Sequence, residues 1–129
     1  VVLREGKEIV LVACGSMVAN ALGASEMLAR EGISCSVIDM HTIKPLDEDV
    51  LDGLLDVKLV VSVEEHSVIG GLGSALAEHL SEKQCAPPLL RLGVSPGYRN
   101  AGRYGYMLEQ NGLLPTQIVD AVVTRLNSL

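Results

Sequence analysis

Phenylalanine and tryptophan are absent from the 129 residues, and tyrosine occurs three times. A buried core must therefore be built from Val, Leu, Ile, Ala and Met. Excess positive charge is also missing: the net charge is −6 and the pI is near 4.9. Nucleic acid and anionic membrane both require a basic face, so neither is expected as a main partner. No apolar run approaches the roughly 20 residues that span a bilayer, and no secretory signal pattern is visible. Cysteine is scarce, with three residues and no CxxC pair. That odd number suits free thiols in a reducing compartment, and a cytoplasmic location is expected. The chain starts Val1-Val2 without a methionine, which suggests a piece excised from a longer polypeptide. With 48% hydrophobic residues in 129, the chain suffices for one folded domain over residues 1–129 and is too short for two.

The apolar residues alternate between strand-like runs and helix-like stripes. Residues 1–4 are a short apolar run, 5–8 (Glu-Gly-Lys-Glu) a tight turn, and Ile9-Val10-Leu11-Val12-Ala13 a buried strand. Strands separated by so few residues are expected to be antiparallel neighbours, or one bent strand, because a parallel crossover needs about a dozen residues. A helix is predicted over 17–31, with Val18, Ala21, Leu22, Ser25 and Leu28 on one face and Gly32 closing it. A strand over 35–40 follows, then a helix with an acidic start at Asp47-Glu48-Asp49, which complements the helix dipole. Leu59-Val60-Val61-Ser62-Val63 is the next strand. A helix over 72–83, a strand over 89–94, a short helix near 107–110 and a last helix capped by Thr116 complete the order. Short loops and strict alternation predict a three-layer α/β fold with a mostly parallel sheet. The loop tips at Gly15-Ser16, Met40-His41 and Glu64-Glu65-His66 should then crowd one sheet edge.

Three features at that edge carry candidate chemistry. The turn Gly70-Gly71-Leu72-Gly73, followed by Ser74, opens a helix whose free N–H groups suit a phosphate. Its third glycine position is Leu76 and the P-loop lysine is missing, so close packing of helix on sheet is the preferred reading. Glu64, Glu65 and His66 offer a general base and its orienter. Adjacent strand residues face opposite ways, however, so the three cannot converge on one metal. No serine nearby has the elbow context of a hydrolase nucleophile. A hydrogen-bonded knot against a neighbouring domain is therefore preferred. The segment 95–106 holds all three tyrosines with Arg99 and Arg103, a combination suited to an interface or to an anion. His79 falls on the inner side of its helix and is expected to be structural. Nothing marks Cys14, Cys35 or Cys85 as reactive.

Two motifs carry a family resemblance. Asp39-Met40-His41-Thr42-Ile43-Lys44-Pro45-Leu46-Asp47 resembles the hTIKPLD signature of the transketolase C-terminal domain. Glu64-Glu65-His66-Ser67-Val68-Ile69-Gly70-Gly71-Leu72-Gly73-Ser74-Ala75 resembles the same family's EEHxxxGGLGSA segment. The similarity runs nearly end to end and is greatest to the C-terminal subunit of split transketolases. 1-Deoxy-D-xylulose-5-phosphate synthase and the E1 β subunits of 2-oxo acid dehydrogenases share the domain. The resemblance implies a five-stranded mixed sheet, first strand antiparallel to the rest, between two helix layers. It also implies a parent enzyme that uses thiamine diphosphate and Mg²⁺ to move a two-carbon ketol unit between sugar phosphates. In that family the cofactor sits between the other domains, so this chain would supply no cofactor or metal ligand and no catalytic residue, and would be inactive alone. Its partners would be other transketolase domains or subunits, in a homodimer or heterotetramer. Gly15, Ser16, His41, Glu64, Glu65, His66, Gly70, Gly71, Gly73, Ser74, Arg99 and Arg103 would form an interface or anion-binding edge. The segment after Gly93-Val94 departs from the family's usual Asp-x-Phe pattern. A binding module for a small anion or nucleotide is the alternative of a different class.

Overall fold

The computed structural model describes residues 1–41, 46–67, 70–95 and 103–129, and at His66 and Ser67 the backbone alone. The expected Thr42-Ile43-Lys44-Pro45 signature, the Val68-Ile69 step and the segment 96–102 with Arg99 lie outside the described residues.

Five strands form one sheet: β1 (Val2–Arg4), β2 (Ile9–Ala13), β3 (Cys35–Asp39), β4 (Leu59–Ser67) and β5 (Leu89–Val94). Their order is β1-β3-β2-β4-β5, with β1 antiparallel to β3 and every other pairing parallel. The continuous apolar run of β2 is what a central strand covered on both faces requires, and all five of its residues are buried. Its side chains alternate between two cores, as the period of two dictates. Ile9, Leu11 and Ala13 join Leu59, Val61 and Val63 against helix α1 (Met17–Arg30), helix α4 (Tyr104–Gln110) and helix α5 (Pro115–Asn127). Val10, Val12, Ile38 and Val60 face helix α2 (Glu48–Asp52) and helix α3 (Leu72–Ser81). The result is three layers with an aliphatic core. Among the described residues no helix is long and apolar enough to cross a membrane.

The expected β1–β2 pairing does not occur. Both edges of β2 are occupied over five registered pairs each, by β3 and by β4, so only the outer edge of β3 is left for β1. The connection therefore passes the start of β3. There Gly6 N–H donates to Ser36 Oγ and Ser36 Oγ–H donates to the Gly6 carbonyl, both at 2.9 Å. A Cβ at Gly6 would overlap the Cys35 backbone, so this crossing requires glycine.

The helices follow their local signals with some shifts. Gly32, at φ +81°, ends α1 as expected. Asp47 accepts a 3.3 Å hydrogen bond from Val50 N–H at the start of α2. Helix α3 stops at Ser81, and α4 begins at Tyr104, ahead of the expected 107. Thr116 is not the cap of α5. Pro115, its φ already helical, takes the first helical position, and Gln117 Oε1 accepts from Leu114 N–H at 3.1 Å. His79 is a satisfied structural histidine: it is buried, with Nε2 2.8 Å from Asp52 Oδ1, and Asp52 also meets Lys83 Nζ at 2.9 Å. That cluster ties α2 to α3.

Candidate functional site

Ala13 pairs in register with Asp39 on one side and Val63 on the other, so the chain leaves β2, β3 and β4 side by side. From β2 it turns into α1 on one face, and from β4 into α3 on the opposite face. The β2–β4 gap is thus the topological switch point, where open α/β sheets place their ligands. Gly15 makes the turn at φ +59°, with open space around it.

Glu64 and Glu65 leave β4 on opposite faces, as the strand period requires. Glu64 is fully buried beneath α3. Its Oε2 accepts from Leu72 N–H at 2.7 Å and its Oε1 from Gly73 N–H at 3.1 Å. Two charge-assisted hydrogen bonds and the positive end of the α3 dipole compensate for burying the carboxylate. The Leu72 and Gly73 N–H groups at this helix start, which suit a phosphate, are therefore already filled, by an anion from the chain itself. The glycines serve this packing. A Cβ at Gly71 would run into the Glu64 carboxylate, and one at Gly73 would lie 2.9 Å from both Ser62 Oγ and Arg91 Cδ. Gly70, at φ +81°, makes the turn, and its N–H donates to Ser74 Oγ at 2.9 Å. Ser62 Oγ, buried below Gly73, has no hydrogen-bond partner among the described residues.

Glu65 turns toward the other face. Tyr104 Oη donates to Glu65 Oε2 at 2.6 Å and lies 3.0 Å from Ser16 Oγ, so one hydroxyl joins the tips of β2 and β4. The Glu65 carboxylate raises the Tyr104 phenol above its ordinary value, against a lowering contribution from Ser16. Ser16 occupies the cap position of α1 but makes no capping bond there. Burial raises the neighbouring Cys14 thiol, and Glu64, Asp39 and Glu65 add to the effect in that order. The edge is negative, and the thiol stays protonated. Cys35 is pushed up to about 11 by burial, with the same consequence.

The structure thus gathers Gly15, Ser16, Glu64 and Glu65 at the switch point, with Gly70, Gly71, Gly73 and Ser74 in the turn just beyond. His41 sits at the next tip, exposed, with Nδ1 3.7 Å from Asp39 Oδ2. Arg103 is exposed at the cap of α4. Arg99 and the His66 side chain lie outside the described residues. Tyr104 is the member that residue-by-residue reading does not single out. Its only signal in the sequence is membership of the tyrosine-rich segment.

The chain as a whole has relatives among known proteins. Residues 1–118 match the family model of the transketolase C-terminal domain. The chain belongs to that family. It is 47% identical over 120 residues to the 6-deoxy-6-sulfo-D-fructose transketolase subunit SqwH of Clostridium sp. (strain MSTE9), covering 92% of this chain and 37% of that subunit. It is 40% identical over 112 residues to the 1-deoxy-D-xylulose-5-phosphate synthase of Chlorobium phaeovibrioides (strain DSM 265 / 1930), covering 86% of this chain and 18% of the synthase. Among solved structures it is similar to a split gene transketolase described as an inactive β4 tetramer. The TM-score is 0.90 and the identity 43%, covering 98% of this chain and 42% of the other. This transketolase C-terminal domain spans well under half the length of those relatives.

Transketolase-family parents are thiamine diphosphate enzymes, and the acidic residues of this edge do not suit a diphosphate. Asp39, Glu64 and Glu65 oppose a diphosphate, and the Leu72 and Gly73 N–H donors of α3 are taken. Among the described residues no three His, Cys, Asp or Glu side chains come together as a metal-holding group. What the arrangement does chemically is brace the two helices that leave the switch point.

Proposed function

We propose that this chain is the C-terminal domain of a thiamine-diphosphate-dependent, transketolase-like enzyme that moves a two-carbon ketol unit between sugar phosphates, and that the domain is architectural. The observation that carries the reading is the 43% identity and TM-score of 0.90 over 98% of the chain to a split gene transketolase. Thiamine diphosphate and Mg²⁺ belong, on this reading, to other domains or subunits of a cytoplasmic parent that assembles as a homodimer or heterotetramer. Residues 1–129 are one domain of that parent. The edge formed by Gly15, Ser16, His41, Glu64, Glu65 and the 70–74 turn, with Arg99, Arg103 and His66, is its contact surface. The self-filled α3 terminus speaks against a stand-alone anion- or nucleotide-binding module.

The 40% identity to a 1-deoxy-D-xylulose-5-phosphate synthase favours a second reading, the equivalent domain of such a synthase. Reconstitution separates the two. The chain, combined with the thiamine-binding domains of its parent, is supplied with thiamine diphosphate, Mg²⁺ and either a ketose phosphate donor with an aldose phosphate acceptor, or pyruvate with glyceraldehyde 3-phosphate. Ketol transfer is the expected result. Turnover in the pyruvate arm alone replaces the first reading with the second.

A further inference from the structure

Among the described residues, little holds the first turn of α4. The helix has seven residues, and the four from Arg103 to Tyr106 are all exposed. Only its second half is anchored in the core, through Met107 and Leu108. Arg103 makes no side-chain capping bond at its start, and Gly105 weakens it further. A helix this short does not stand without tertiary contacts. Among the described residues this turn meets the sheet edge through the Tyr104 hydroxyl, 2.6 Å from Glu65 Oε2 and 3.0 Å from Ser16 Oγ. The tyrosine side of this contact is not core packing, since Tyr104 is 50% exposed. At the other end of the connection, Ser95 N–H donates to Asn111 Oδ1 at 2.9 Å, which ties the end of β5 to the end of α4 independently of Tyr104.

We propose that Tyr104 is a latch: its hydroxyl, joining Ser16 to Glu65, keeps the first turn of α4 folded across the β2–β4 switch point, and its release frees that turn and uncovers the edge without disturbing the core. The latch is a reversible element on the side of the sheet where this fold meets ligands and partners. It goes beyond the transketolase reading and does not depend on it. Among the described residues the charged groups beside it are Glu65 on β4, which its hydroxyl meets, and Arg103, the preceding residue at the cap of α4.

Hydrogen–deuterium exchange on the 129-residue chain tests the proposal, with Tyr104→Phe keeping the ring and removing the hydroxyl. The expected result is exchange about fivefold faster at the amides of Met107, Met17 and Val18, which are hydrogen-bonded to Arg103, Cys14 and Gly15, the factor matching ~1 kcal/mol for one hydrogen bond. Amides of β2, the buried part of β4 and α5 should exchange as in the unsubstituted chain. Unchanged exchange at Met107, or uniform acceleration along the chain, overturns the proposal. Tyrosine absorbance near 295 nm gives a second readout. Relative to Tyr104→Phe, the parent should show one phenol ionising above the ordinary tyrosine range, and Glu65→Gln should return it toward that range. A phenol that titrates identically in the parent and in Glu65→Gln also overturns it.

Discussion

The carboxylate of Glu64 reaches eight residues forward to accept a 2.7 Å hydrogen bond from the backbone N–H of Leu72. A second bond of 3.1 Å comes from Gly73 N–H. A buried side chain of β4 therefore does for α3 what a cap residue usually does for its own helix. This makes Glu64 a structural acid, held where a ligand anion would otherwise sit.

Replacing Glu64 by Ala leaves two buried N–H groups without acceptors. The expected loss is about 3 kcal/mol, measured by urea denaturation. Formate or acetate should restore part of it by entering the space vacated, seen as an anion-dependent rise in Tm for the variant and not for the parent. A variant as stable as the parent, or one indifferent to formate, counts against the internal-anion role.

Gly71→Ala should be among the most damaging single changes, since the added carbon meets the Glu64 carboxylate. Several kcal/mol are expected from the clash and the displaced acid, on the order of 3–4. Gly15→Ala has open space and is limited to the strain of φ +59°, about 1 kcal/mol. Equal losses at the two sites would show that steric contact with Glu64 is not what selects glycine at 71.

Ser62 Oγ is buried without a partner among the described residues. Ser62→Ala removes an unsatisfied polar atom at little change in volume. It should be neutral or stabilising by up to ~1 kcal/mol. A clear destabilisation in a thermal melt would reveal a hydrogen bond carried by this hydroxyl.

The clasp between α2 and α3 sets an acid limit. Asp52 is held below its ordinary value of 3.8 by hydrogen bonds from Lys83 and then His79. A carboxylate with a lowered folded value binds its proton more readily when unfolded. Its contribution is complete above the unfolded value and is lost as pH falls from 3.8 through the lower folded one. Asp52→Asn should therefore flatten the stability–pH profile in that window. A profile of unchanged steepness there would refute the clasp's part in acid unfolding.

Much of this was legible from residues because it is local. The unbroken Ile9–Ala13 run marks a strand buried on both faces. The period of two separates Glu64 from Glu65, and inward spacing makes His79 structural. The rest depends on contacts between distant segments. The pairing of β1 with β3 follows from both edges of β2 being occupied, which no turn signal near residues 5–8 reports. Nor does spacing reveal that Glu64 caps α3 or that Tyr104 reaches Ser16. Thr116 is a reasonable cap by composition, but Pro115 at the first helical position moves the boundary ahead of it. The glycine-rich motif marks the start of α3, and the geometry places the Glu64 carboxylate on its Leu72 and Gly73 N–H groups.

The most direct test of an architectural role is the turnover number per assembled particle of the parent enzyme carrying Glu65→Gln. The fraction assembled is measured in the same sample by analytical ultracentrifugation. Weaker assembly or lower stability, with kcat per assembled particle unchanged, is the predicted result. Full assembly with a lost chemical step would contradict it and place this edge in the reaction itself.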